Sequence, residues 1–181
     1  MTRLRSADSL LLAVAAASSA AMSDPHCPTR GVWKQDSSRC ESLCPLLEGL
    51  GLPSALRGIA CTVADSTMTT YRITCPTPDT CKIVDKTWFG RNETSVPLDG
   101  SERETKTRNG RKTFMLSGSV SDDGTSTVQC RLVSRGEGWY TRQERKVTAP
   151  GELRERNVLV RPGHDDVVVT RVFLKTEEDV R

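Results

Sequence analysis

From residue 69 onward, short runs of β-branched and apolar residues alternate with clusters of Gly, Pro, Asn and Asp. That is the rhythm of strands and turns, not of helices. Runs at 69–75 and 81–89 open the series. Segments 104–108 and 111–116 flank Asn109-Gly110, a pair that tolerates positive φ and marks a tight hairpin. Phe114, Leu116 and Val120 then fall on one face of an extended chain. Asp122-Asp123-Gly124 turns it into 127–133, where Val128, Cys130 and Leu132 share a face that points Cys130 inward. Runs at 139–147 and 154–160 follow, and Arg161-Pro162-Gly163-His164 turns into 167–174. Turn signals at roughly 8–12-residue spacing predict an antiparallel β-sandwich or barrel.

Helical signals are confined to the earlier part. Asp36-Ser37-Ser38 predicts the cap of a helix over 39–50, with Leu43, Leu46 and Leu47 as its apolar stripe and Gly49 and Gly51 as its stop. Pro45 would kink an interior position, so the helix is expected to start there if not before. On a continuous helix Cys40 and Cys44 share one face and would staple it to two different strands. A second short helix is expected over 53–60. The fold class is therefore mainly β, α+β at the N-terminal end: a disulfide-stapled antiparallel sandwich or barrel with one or two short helices.

The first residues bear on address. Arg3 and Arg5 precede an apolar run at 10–17 and the small residues Ser18, Ser19, Ala20 and Ala21, the three-part pattern of a cleavable signal peptide at 1–21. Asp8 on one side and Asp24-Pro25 on the other leave the run short of the roughly 20 apolar residues of a spanning helix. A single secreted, extracellular domain over 22–181 is expected, cysteine-rich in helices, loops and strands over 22–100 and built of antiparallel strands over 101–181. After cleavage no segment is apolar enough to span a membrane.

Cys27, Cys40, Cys44, Cys61, Cys75, Cys81 and Cys130 all follow the cleavage site, as expected of an exported, cross-linked chain. With seven, one is left over or links a second chain, and the pairing has 105 arrangements that sequence does not choose among. Cys130 is the one candidate staple between the two parts. Zinc is disfavoured, since paired C-x2-C spacings are absent. Asn92-Glu93-Thr94 is a glycosylation sequon, expected on a surface loop.

Charge excludes one class. Arg3, Arg5 and Asp8 leave with the signal, so 24 basic residues face 22 acidic ones in the mature chain. That near-neutral, interleaved balance argues against nucleic acid as a partner. The basic segment 103–112 is read as a solvated hairpin. For catalysis, His26 and His164 are the two histidines. His164-Asp165-Asp166 sits in a turn, where neighbours do not converge on one atom. The alternating charges of 142–145 and 152–156 read as an ordinary solvent face rather than a ribonuclease site. No cofactor or metal is implied, and an enzyme is disfavoured.

What remains is recognition, with Trp33, Trp88, Trp139 and Tyr140 as the aromatics suited to anchor a partner and Trp139-Tyr140 the best placed. In layout alone the chain resembles the secreted effectors of plant-associated fungi and the salivary proteins of blood-feeding arthropods. The expectation is a small secreted, cysteine-rich, effector-like interaction protein that binds a host or extracellular protein. A ribonuclease-like extracellular hydrolase and an extracellular enzyme inhibitor stand as alternatives.

Overall fold

A computed structural model describes residues 24–66, 69–87, 90–106, 113–135 and 138–177. The expected signal segment 1–21, Trp88 and the expected turn at Asn109-Gly110 lie outside them. The chain forms one antiparallel sheet whose ten strands run in the order β4-β3-β2-β1-β10-β9-β8-β7-β6-β5. They are β1 (Gly31–Gln35), β2 (Thr70–Thr77), β3 (Thr80–Thr87), β4 (Gly90–Pro97), β5 (Arg103–Lys106), β6 (Thr113–Val120), β7 (Ser126–Leu132), β8 (Tyr140–Ala149), β9 (Glu152–Val160) and β10 (Val167–Lys175). Every strand pairs with its neighbour in sequence except β4 with β5, and the two ends of the series are also joined. There β1 closes on β10 through Trp33 opposite Lys175 and Gln35 opposite Phe173.

The sheet curls into a nearly closed barrel, so the sandwich expectation gives way to the barrel. Closure comes where β6 meets β4. A Cβ on Gly118 would lie 2.7 Å from the Pro97 carbonyl oxygen and from Val96 Cγ1, so only glycine lets the two strands approach this closely. The Gly100 amide also donates to the Gly118 carbonyl at 3.0 Å. Higher up, the short β5 pairs with β6 alone and leaves a seam beside β4.

Alternation along the strands sorts the interior into layers. At the base, Trp33, Ile73, Cys81, Val96, Val128, Leu153 and Phe173 pack into the main core. Burying side chains of this size stabilises by roughly 1.5–3 kcal/mol each. Residues 24–30 lie against this end: Cys27 and Thr29 are buried, Thr29 Oγ1 meets Ser126 Oγ at 3.3 Å, and the Trp33 indole donates to the Thr29 carbonyl at 2.8 Å. A disulfide from Cys27 to Cys75 pins the segment.

The opposite end carries two helices, α1 (Cys44–Gly49) and α2 (Ser54–Ser66), inserted between β1 and β2. Asp36 does act as a cap, but of a single 3-10 turn at Ser37–Arg39, and Pro45 then opens α1 as its ring requires. The expected 39–50 helix is thus two pieces. Gly49 lets α1 sit directly on the barrel rim, since a Cβ there would come within 2.6 Å of Leu159 Cδ2. Leu46 packs with Leu159 and Val169 beneath it. The second disulfide, Cys44 to Cys61, joins α1 to α2. Asp65 near the end of α2 accepts from the Leu43 amide at 2.8 Å and the Ser42 hydroxyl at 2.6 Å, capping the start of α1.

Three cysteine expectations are corrected here. Cys40 and Cys44 do not staple a helix to two strands: Cys44 bonds the other helix, and Cys40 keeps its thiol against the Val172 amide and the Asp36 carbonyl. Cys130 does not join the two parts of the chain. It faces inward, as its strand pattern predicts, and stays a thiol. Four cysteines are paired and three (Cys40, Cys81, Cys130) are free, with Cys81 buried in the base core. Among the described residues no helix is long and apolar enough to cross a membrane.

Candidate functional site

Between the packed base and the helical cap the barrel is hollow. An inner chamber of about 430 Å³ is lined by Tyr71, Ile83, Asp85, Val96, Val128 and Leu116 among others, and it reaches Leu43 and Ala64 of the cap region. An outer chamber of about 470 Å³ lies under α1 and the loop after it, against Leu47, Leu52, Phe114, Leu132, Trp139 and Leu159. Cys130 and Thr141 line both, so the two spaces share that stretch of wall. Each volume falls in the range of small-molecule sites, roughly 300–1,000 Å³.

The two chambers differ in chemistry. The outer one is walled mainly by apolar and aromatic groups. The inner one carries a belt of buried polar and charged side chains, held level by strand register. Arg171 on β10 stands opposite Glu155 on β9, which stands opposite Arg145 on β8. One carboxylate therefore sits between two guanidiniums. Arg145, Glu155 and Arg171 are 3%, 1% and 5% exposed.

Glu155 is engaged on both oxygens. Arg145 Nε donates to Oε2 at 2.7 Å, Asn157 Nδ2 donates to Oε1 at 2.9 Å, and the Tyr71 hydroxyl donates to Oε1 at 3.5 Å. Arg145 Nη2 donates to Gln143 Oε1 at 2.8 Å, and its guanidinium lies 5.0 Å over the Tyr71 ring. Burial lowers the pKa of this guanidinium, but Glu155 and Tyr71 together more than offset it, so the pKa is raised and the charge stays. Tyr71 is pushed well up by burial, then by Glu155, and stays a neutral phenol. Arg145 and Glu155 thus satisfy each other.

Arg171 is different. Its Nη2 donates to Gln35 Oε1 and reaches Thr69 Oγ1 at 3.5 Å, both neutral partners. Its Nε is buried with no hydrogen-bond partner among the described residues, and the side chain lines the inner chamber. A buried cation is expected to have an anionic partner or a full set of acceptors. Arg171 lacks both.

The opposite wall carries an acid. Asp85 on β3 lines the same chamber beside Thr87 and Thr94. Its carboxyl is raised above the ordinary carboxylate range chiefly by burial, against the pull of its own backbone amide, of Arg145 and of the Asn92 amide. Asn92 lies within β4 opposite Asp85, so the sequon is on an edge strand rather than the expected loop.

Most of these groups escape the sequence reading. Residues 142–145 and 152–156 were expected to form a solvent face; instead the pleat divides them. Arg142, Glu144, Arg154 and Arg156 point outward, with Arg156 Nη1 bonding Glu144 at 2.9 Å. Gln143, Arg145, Leu153 and Glu155 point inward. The usable signal is Glu155 in register with Leu153, Asn157 and Leu159, and Arg171 in register with Val169 and Phe173: a charge at an otherwise core-facing position. Of the aromatics, Trp33 fills the base core, while Trp139 and Tyr140 are half-buried along the outer chamber, with Arg135 lying 5.0 Å over the Trp139 ring. His164 is exposed in the β9–β10 turn and His26 near the base, each apart from the chambers. Among the described residues no group of His, Cys, Asp and Glu is placed to hold a metal.

No protein-family model matches the chain, and no curated protein matches it in sequence. Solved structures do match. The chain is similar to fatty-acid-binding protein 1 of Echinococcus granulosus at 20% identity and a TM-score of 0.62, covering 82% of this chain and 97% of that one. It is similar to a Schistosoma mansoni fatty-acid-binding protein in complex with arachidonic acid at 18% identity and a TM-score of 0.61, covering 82% and 96%. A fatty-acid-binding protein from the brain of Drosophila melanogaster matches at 20% identity and a TM-score of 0.57, covering 79% and 95%. The expectation of an effector-like protein that acts by binding a host or extracellular protein is overturned by this likeness and by the hollow interior: the built feature lies inside the barrel, not on a recognition surface. The fold is that of the fatty-acid-binding-protein barrel, nearly closed, with two helices at one end.

Proposed function

We propose that the protein binds a small anionic amphiphile, of the fatty-acid class, inside the barrel. The single observation that carries this reading is Arg171. It is buried, without an ion pair or an acceptor on Nε among the described residues, and it faces a cavity that shares its Cys130–Thr141 wall with an apolar chamber. A carboxylate head placed at Arg171 completes its hydrogen bonding and its charge, and the apolar remainder of the ligand passes Cys130 and Thr141 into the space under α1. Arg145 does not compete for the head, because Glu155 already holds it.

Support also comes from the structures of similar fold, one of which holds arachidonic acid, a fatty acid. Export from the cell is part of the proposal. The segment at 1–21 and the two disulfides support it, since such cross-links persist in oxidising compartments. The test is displacement of a fluorescent fatty-acid probe from delipidated protein. Long-chain carboxylic acids should displace the probe in a saturable way, and Arg171→Gln should weaken that by about tenfold or more. Equal displacement from the variant and the parent would defeat the assignment of the head group.

A further inference from the structure

The inner chamber has two poles, and an unsubstituted alkyl chain uses only one. Arg171 stands on β10. Asp85 stands on β3, three strands away around the barrel, or about 14 Å along the wall at ordinary strand spacing. Thr87 and Thr94 lie beside Asp85 on the same wall and line the same space. Thr94 is level with Ile83 and Asn92 with Asp85 on the adjoining strand, so the acceptor carboxyl and two hydroxyls form one polar patch on the β3–β4 wall. Below that patch the wall is Ile83 and Val96, and above it the cap contributes Leu43 and Ala64. A hydrocarbon that fills the inner chamber strips water from the patch and returns no hydrogen bond, which costs binding.

Resting on the amphiphile reading above, we propose that the preferred ligand carries a hydrogen-bond donor partway along its chain, a hydroxyl in the simplest case. Asp85 is the group that selects it, with Thr87 and Thr94 as supporting partners. The acid head engages Arg171 and the chain hydroxyl donates to the Asp85 carboxyl. Asn92, which reaches Asp85 from β4, holds that carboxyl in place. Asp85 then discriminates among ligands that Arg171 binds alike, because a site built to receive a donor rejects an analogue that lacks one.

The experiment compares stearic acid with a mid-chain hydroxystearic acid by calorimetric titration of the delipidated protein. The parent protein should bind the hydroxy acid about tenfold more tightly or better, the effect of one hydrogen bond to a charged acceptor. Asp85→Val should remove the preference by tightening the plain acid and weakening the hydroxy acid. Asp85→Asn, which retains an acceptor oxygen, should keep a reduced preference and shows that the site still folds. Equal affinity of the parent for the two acids overturns the selector while leaving the amphiphile reading intact. A preference that persists undiminished in Asp85→Val likewise overturns the role of Asp85. Binding of neither acid overturns both readings.

Discussion

The charged belt makes a quantitative demand on the Arg145–Glu155 pair. At a separation of 2.7 Å the two charges attract by about 6 kcal/mol at an effective dielectric of 20, before the loss of hydration of both ions is counted. Desolvation of each costs several kcal/mol, so the pair nearly cancels as a unit but is expensive to split. Glu155→Leu strands the Arg145 guanidinium in the interior, and Arg145→Met strands the carboxylate. Each single change should cost about 3–5 kcal/mol. Glu155 also accepts from Asn157 and Tyr71, and losing those bonds leaves a cost of roughly 1–2 kcal/mol in the double variant. The double variant is thus far more stable than the sum of the singles, with a coupling of about 4 kcal/mol or more. Equilibrium urea unfolding at neutral pH, with disulfides intact and slopes compared, measures all four corners of the cycle. A double variant as unstable as the two singles added together would show that the belt is not a mutually dependent pair.

Four further outcomes follow from the geometry. Burial raises the Asp85 carboxyl above the ordinary 3.8, so its ionised form costs stability at neutral pH, and that cost disappears as pH falls into the ordinary carboxylate range. Asp85→Asn should therefore raise the urea midpoint at pH 7, with the gain shrinking toward pH 4 and below; a gain independent of pH would contradict the assignment. Gly118→Val should destabilise by roughly 1–3 kcal/mol and loosen the β4–β6 closure, read as faster amide exchange in both strands, because its Cβ has only backbone and Val96 to meet. Replacing the Cys27–Cys75 pair by serines should cost about 4 kcal/mol and replacing Cys44–Cys61 about 3, from loops closed over 48 and 17 residues. Calorimetry gives both figures, and only loss of the second should speed ligand release, since it alone braces the cap. Ligand filling the outer chamber should change Trp139 fluorescence, a signal that Trp139→Phe removes while leaving the affinity nearly unchanged.

The strands β2, β3, β6, β7 and β10 were legible because one face of each carries apolar residues in alternation, as with Val128 and Leu132 on β7, while β5, β8 and β9 were placed by the turn signals beside them. Two strands were not. β4 reads Gly-Arg-Asn-Glu-Thr-Ser before Val96, because it edges the seam and is wet along most of its length. β1 is five residues long and follows Pro28 closely, too short to show a period. The barrel itself was half-legible, since alternation does not separate a sheet curled on itself from two sheets stacked. The site was least legible of all. A hollow barrel places polar residues on its inner face, so Thr141, Gln143 and Arg145 interleave with Arg142 and Glu144, and the alternation that marks inside from outside disappears. Pairing of the cysteines depended on which helix met which, and that is set by Gly49 on Leu159 and Asp65 at the start of α1, contacts that spacing does not encode.

In the proposed complex the buried Arg171 guanidinium receives the acid head and the apolar space beyond takes the chain. Native mass spectrometry and calorimetry of delipidated protein with a long-chain fatty acid and with its methyl ester address it most directly. One acid molecule should bind per chain and the ester far more weakly, with the acid's advantage gone in Arg171→Gln. Acid and ester binding alike, or an advantage that survives the loss of Arg171, would contradict it.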